Sequence, residues 1–87
     1  MAQTLFLVEI LSPEKTVYSG EVQSLVAPCE FGYLGVLAHH APLLANLIKG
    51  KIILKKESGE TWEILCTARG FLEVKKNKAT LLLDREH

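Results

Sequence analysis

Apolar residues in this chain recur at alternate positions, in short runs broken by turn-forming pairs. No stretch keeps a 3.6-residue period long enough to define a helix. That rhythm restricts the chain to β-structure. Leu5 to Leu11 is a first strand, ended by Ser12-Pro13. Phe6, Val8 and Ile10 share one face; the other face is also mostly apolar, which predicts cover on two sides. Thr16 to Tyr18 reads as a short segment stopped at Ser19-Gly20, and Glu21 to Val26 as a strand with Val22 and Val26 on one face, closed by Ala27-Pro28. Further strands are expected at Leu43–Ile48, Lys51–Lys56, Thr61–Thr67, Gly70–Val74 and Ala79–Asp84. In Thr61–Thr67, Trp62, Ile64 and Cys66 share the expected core face. Glu57-Ser58-Gly59-Glu60 and Lys75-Lys76-Asn77-Lys78 are hairpin turns, because glycine and asparagine tolerate the positive φ such turns require.

Many short strands with regular turns imply one antiparallel β-sandwich or flattened barrel over residues 1–87. A chain of 87 residues holds one small core. Ten basic and ten acidic residues cancel, which argues against a nucleic-acid surface. The lysines near strand ends (Lys49, Lys51, Lys55, Lys56, Lys75, Lys76, Lys78) are interleaved with Glu57, Glu60, Glu63 and Glu73, and read as a solvated face that guards sheet edges. No apolar run approaches the ~20 residues a membrane helix needs. Met1-Ala2-Gln3-Thr4 has no basic cluster or cleavage site, and two cysteines make no disulfide framework, so a reduced cytoplasmic setting is expected.

The segment Ala27 to Leu47 departs from the rule that loops are polar. It reads as a Gly-x-x-Gly loop, Gly32-Tyr33-Leu34-Gly35, joined to an apolar turn, His40-Ala41-Pro42-Leu43-Leu44. The glycines permit tight turns. Pro28 and Pro42 bias the residues before them toward extended backbone and stiffen the segment. Apolar side chains in such a loop are either tucked under the core or offered to a partner.

Catalytic chemistry finds little support. His39, His40, Cys29 and Cys66 are ligand types for zinc, but adjacent histidines on extended chain point apart and no Cys-x-x-Cys spacing is present. A loop histidine pair, with at least one ring bonded to a backbone carbonyl, is the plainer reading. A Cys29–His40 nucleophile pair lacks an orienting group and an oxyanion site. Gly32 and Gly35 lack the Gly-Lys-Ser/Thr of a phosphate loop.

Four motifs, in order, resemble the amino-terminal β-sandwich of the epsilon subunit of the rotary ATP synthase. They are Ser19-Gly20-Glu21-Val22; Gly32-Tyr33-Leu34-Gly35-Val36; His40-Ala41-Pro42-Leu43-Leu44; and Gly70-Phe71-Leu72-Glu73-Val74. The resemblance spans almost the whole chain. It implies a flattened sandwich of two five-stranded sheets and a non-catalytic rotor subunit of the central stalk, without a cofactor or metal. Such a subunit binds the gamma subunit and rests on the ring of c subunits, coupling proton flow to ATP synthesis. The implied gamma-facing residues are Ser12, His40, Ala41, Pro42, Leu43 and Ala45; the implied ring-facing residues are Phe31, Tyr33 and Leu34. Burying Tyr33 and Leu34 there is worth on the order of 1.5–3 kcal/mol per side chain. The implied location is the cytoplasmic face of a bacterial plasma membrane, peripheral, touching the membrane only through the ring, with a thylakoid setting as the alternative.

This sequence also departs from the family pattern. Tyr33 stands where many members carry an acidic residue, so an aromatic or hydroxyl contact replaces the charged one. Ala38-His39 stands where Pro-Gly is common, which predicts a different turn before His40. Cys29 replaces a common glycine. Ala68-Arg69 replaces a common Ser-Gly, which makes Arg69 a candidate contact. The family usually continues into a linker and two helices that bind ATP in some members and can inhibit hydrolysis; this sequence stops at Asp84-Arg85-Glu86-His87. The sequence is either a shortened piece or a naturally short subunit; if it is complete, assembly and coupling without that brake are expected. Two readings from other classes remain open at this point: a free-standing β-barrel binding nucleic acid or peptide through the lysines with Phe31 and Tyr33, and a small thiol or metal enzyme using Cys29, His39 and His40.

Overall fold

A computed structural model of the chain describes residues 4–67 and 69–84. The described residues form eight strands in chain order: β1 (Phe6–Leu11), β2 (Thr16–Cys29), β3 (Gly32–Leu37), β4 (Leu43–Leu47), β5 (Gly50–Lys56), β6 (Thr61–Cys66), β7 (Gly70–Lys75) and β8 (Lys78–Leu83). The strands β1-β8-β7-β4-β2 join in a ring that β1 closes on β2, with β5, β6 and β3 attached through β2. The expected sandwich is what the chain forms, flattened to 38 × 23 × 19 Å.

The 14-residue β2 organises it. Its first part pairs with β1, from Leu11↔Thr16 to Phe6↔Val22, and its second with β3, from Ser24↔Leu37 to Cys29↔Gly32. One strand therefore serves both layers. The layers are β2-β1-β8-β7-β4 and β3-β2-β5-β6.

Three sequence-based expectations change here. Ser19-Gly20 does not end a strand; Gly20 pairs with Val8 inside β2. Ala27-Pro28 does not close it either. Pro28 faces Tyr33 across the β2–β3 pair, while on the other edge its carbonyl accepts the Ile48 N–H at 2.8 Å. Proline lacks only a donor, and this position uses only an acceptor. The third change is parity. The register on β5 shifts between Val22 and Ser24, and Gln23 Nε2 donates to the carbonyls of Lys56 (2.9 Å) and Glu57 (3.0 Å) at that bulge. A bulge moves inward positions by one. Val22 is buried, but beyond the bulge Leu25, Ala27 and Cys29 point inward and Val26 is only half-buried.

The core is apolar throughout. Phe6, Val8 and Ile10 of β1 meet Leu72 and Val74 of β7, Ala79 and Leu81 of β8, and Leu25, Ile52 and Leu54 of the opposite layer. Among the described residues no polar or charged side chain is buried. The other face of β1 is half-buried rather than covered. Cys66 is core and Ile64 partly so, as the alternation implied, but Trp62 is 42% exposed because β6 is an edge strand. Its ring stands edge-on to Tyr18 at 5.6 Å, with Lys56 Nζ 4.4 Å above it.

The turns follow local chemistry. Gly59 adopts φ 94° between Lys56 and Glu60, whose backbones bond at 2.8 Å. Lys76 and Asn77 take φ 50° and 60° between the paired Lys75 and Lys78, a two-residue turn of type I′ sign. The turn before His40 puts His39 at φ 63°, where a side chain carries about 1–2 kcal/mol of strain. His39→Gly keeps the backbone bond that His39 N–H makes and relieves that strain. It is expected to stabilise the chain by about 1 kcal/mol in urea unfolding. A loss of stability would refute that account of the turn.

Candidate functional site

The Gly32–Leu37 segment is a strand, β3, and not a loop. Glu30 and Phe31 form the tip of the β2–β3 hairpin, and Gly32 follows at φ 117°, where glycine is needed. Gly35 has no such duty. It lies mid-strand, opposite Val26, and a Cβ there would meet nothing within 4 Å.

Between this hairpin and β4 lies an open groove of about 420 Å³. Its walls are Cys29–Leu34 on one side and Leu43–Asn46 on the other. Paired bonds tie the walls together. Glu30 N–H donates to the Asn46 carbonyl (3.0 Å), and Asn46 Nδ2 donates to Glu30 Oε1 (3.3 Å). Residues assigned by resemblance to two partners, Phe31, Tyr33 and Leu34 for the ring and Leu43 and Ala45 for gamma, therefore share one groove.

Their exposure differs. Phe31 is 98% exposed at the hairpin tip. Tyr33 is exposed and lies toward Gly50: a Cβ on Gly50 would come within 3.1 Å of the Tyr33 hydroxyl oxygen and 2.8 Å of Pro28 Cβ. Leu34, Leu43 and Ala45 are partly buried against the core, so they floor the groove more than they project from it. The exposed residue that sequence reasoning missed is Leu44. Alternation from the buried Leu47 would have placed it outward with Asn46.

His40, Ala41 and Pro42 belong to the turn joining β3 to β4 and do not line the groove. His40 Nδ1–H donates to the Ala41 carbonyl at 2.8 Å, the histidine–carbonyl bond expected of this pair. The His39 N–H donates to Asn77 Oδ1 at 2.7 Å, and the Asn77 carbonyl accepts from Leu7 N–H. The His40 turn thus sits at the Leu7 end of β1.

Ser12 sits at the other end. Its hydroxyl and amide are engaged with Lys15 in the β1–β2 turn. About five residues of strand, ~17 Å, separate the two ends. Ser12 instead borders a second surface, the cross-strand row Leu11, Leu82, Phe71, Asn46. Leu82 and Phe71 are 48% and 38% exposed there, and Asn46 leads from the row into the groove. Neither Leu82 nor Phe71 is among the partner-facing residues that the resemblance implies; the outward parity of β7 and β8 is the signal that marks them.

The remaining candidates are placed as follows. Cys29 and Cys66 are both buried, and burial pushes the Cys29 thiol up, away from the reactive thiolate. Among the described residues no three His, Cys, Asp or Glu side chains gather closely enough to hold a metal. Arg69 is exposed and its carbonyl accepts from Asp84 N–H at 3.0 Å; Ala68 lies outside the described residues. The lysines and glutamates pair on the surface: Lys78–Glu9 at 2.9 Å, Lys51–Glu63 at 3.3 Å and Lys75–Glu73 at 3.5 Å.

Residues 5–86 match the sequence model described as ATP synthase, Delta/Epsilon chain, beta-sandwich domain. The chain belongs to that family. Among curated relatives, the ATP synthase epsilon chain of Dichelobacter nodosus is 44% identical over 81 residues, 93% of this chain and 56% of the relative. That of Leptospira interrogans is 42% identical over 84 residues, 97% and 65% respectively. The chain spans between about half and two thirds of their length. In fold, this epsilon-type sandwich aligns with a chain of the Euglena gracilis mitochondrial ATP synthase (OSCP, F1 and c-ring) at TM-score 0.85 and 16% identity, covering 95% of this chain and 52% of that one. It aligns with a chain of the Tetrahymena thermophila mitochondrial ATP synthase central stalk and c-ring at TM-score 0.75 and 16% identity, covering 97% and 66%. The sandwich fold and the epsilon-chain kinship agree with the motif order in the sequence.

Proposed function

We propose that this chain is a non-catalytic central-stalk subunit of a proton-translocating ATP synthase, joining the gamma subunit to the ring of c subunits. The observation that carries this reading is the groove beside the β2–β3 hairpin, where exposed Phe31, Tyr33 and Leu44 cluster on a chain whose interior, among the described residues, buries no polar or charged side chain. A rotor subunit transmits torque through contacts, so its chemistry is that of an interface. Phe31, Tyr33 and Leu34 form the ring-facing end. Leu43 and Ala45, with the His40-Ala41-Pro42 turn and Ser12, form the gamma-facing side. Ser12 and His40 mark opposite ends of one extended gamma surface rather than one spot. The chain works at the cytoplasmic face of a bacterial plasma membrane, held there through the ring. The paired surface charges support this over a nucleic-acid module, whose binding would fall steeply with salt.

Titration of the chain with the cognate gamma subunit tests the reading. Submicromolar binding is expected. His40→Asp and Leu44→Asp are each expected to weaken it about ten-fold or more, since each buries a charge at an apolar contact. A folded wild-type chain that binds neither gamma nor the ring would overturn the assignment.

A further inference from the structure

The outer edge of β3 is unlike every other border of this sandwich. β3 pairs only with β2 among the described residues. Which of its backbone groups are free follows from β2. On one edge of β2, the Pro28 carbonyl accepts from Ile48 N–H and Glu30 N–H donates to Asn46. Cys29, Ala27 and Leu25 therefore turn their N–H and C=O groups to the other edge, toward their partners Gly32, Leu34 and Val36. Tyr33, Gly35 and Leu37 alternate with those partners and aim their backbone groups away from the sheet. The Leu37 carbonyl accepts one bond, from His40 N–H at 3.2 Å, and keeps a second lone pair.

Free edges are normally guarded by charge, proline or a bulge. β3 has none of these. Its sequence, GYLGVL, carries no charged residue, and its register on β2 runs without a shift. The other edge strand, β6, carries Glu63 in an ion pair with Lys51.

We infer that β3 pairs edge to edge with β3 of a second copy of this chain, antiparallel about Gly35. The two-fold register argues for a copy over a foreign strand. It sets Gly35 against its own counterpart, where absence of a side chain leaves room. It sets Tyr33 of each copy opposite Leu37 of the other, an aromatic–aliphatic cross-strand pair made from residues 62% and 65% exposed in the single chain. No like charges meet along the strand. Beyond its ends the register brings Glu30 of one copy toward the His39-His40 turn of the other, unlike charges when the histidines are protonated. Pairing covers Tyr33, so self-association and the proposed ring contact exclude each other.

Sedimentation equilibrium of the whole chain from about 20 µM to about 1 mM tests this, because one strand pair is a small interface and a weak dimer is expected. Amide exchange at the same concentrations gives the residue-level readout. Protection at Tyr33, Gly35 and Leu37 rises with concentration, while Leu34 and Val36, already bonded to β2, stay unchanged. Leu37→Lys places a charge opposite Tyr33 twice per dimer and weakens association about ten-fold or more. Gly35→Pro removes the central outward donor and abolishes it, on an edge where proline is tolerated. Retained Trp62 fluorescence and a wild-type circular dichroism spectrum show that either variant is folded. A wild-type chain that is monomeric at 1 mM, or a dimer that survives Leu37→Lys, overturns the inference.

Discussion

Gly70→Ala is expected to lower the melting temperature by roughly 15 °C. Gly70 opens β7 and pairs with Leu47 of β4 and Leu83 of β8. A Cβ added there would sit 2.5 Å from the Leu82 carbonyl oxygen, 3.2 Å from Leu47 Cδ1 and 3.3 Å from Leu83 Cδ2. A flexible side chain could swing away from such a contact. A carbonyl in a strand ladder moves only with its neighbours, so β8 must shift or β7 must bend. Overpacking of this kind costs about 1–3 kcal/mol, and a rigid backbone target places it at the upper end. Gly35→Ala is the matched control. Its Cβ meets nothing within 4 Å, and the change is expected to stay within about 0.5 kcal/mol. Thermal unfolding followed by circular dichroism separates the two. Equal melting temperatures for both variants would mean that β8 yields freely and that the packing argument is wrong.

Gly70 also shows what kind of information sequence carries. It stands out in the sequence only as part of Gly-Phe-Leu-Glu-Val; the reason for the glycine is a carbonyl on the neighbouring strand, which no local pattern reveals. The hairpin turns were legible because their cause is local. Gly59 and Asn77 supply positive φ where two alternating runs must reverse, and both do so in the structure. Where a distant group decides the outcome, the alternation misleads. Ser19-Gly20 looks like a strand end, yet β1 supplies partners on both sides of it. Val26 looks like core, yet the bulge held by Gln23 against Lys56 and Glu57 moves the inward parity to Leu25 and Ala27. The apolar run from Gly32 looks like a loop because glycines flank it, yet pairing with β2 makes it a strand.

The same division holds for the candidate site. Apolar residues outside the core could be named from sequence, and Phe31 and Tyr33 are indeed exposed. Their grouping with Leu43 and Ala45 in one groove could not be, since it depends on β4 meeting the end of β2 at Cys29 and Leu47. Nor could the separation of Ser12 from His40, which follows from β1 running between them.

Asn77 ties these observations together. Its side chain accepts from His39 N–H (2.7 Å) and donates to the Leu5 carbonyl (3.0 Å), while its own carbonyl accepts from Leu7 N–H (3.2 Å). Chain segments 38 and 72 positions away are thus held by one amide. A series of substitutions separates its roles. Asn77→Gly keeps the left-handed backbone and loses both side-chain bonds, an expected loss of about 2 kcal/mol. Asn77→Ala loses the same bonds and adds left-handed strain, for a total of about 3 kcal/mol. Asn77→Asp keeps an acceptor for His39 but turns an oxygen toward the Leu5 carbonyl. The His39 amide should therefore exchange faster in the glycine and alanine variants and stay protected in the aspartate one, whatever the global stability. If the rotor reading holds, freeing His39 also loosens the turn that presents His40, and gamma affinity should follow the His39 amide rather than the unfolding free energy. An Asn77→Gly chain as stable as wild type, with its His39 amide still protected, would show that the turn before His40 is held by something other than this side chain.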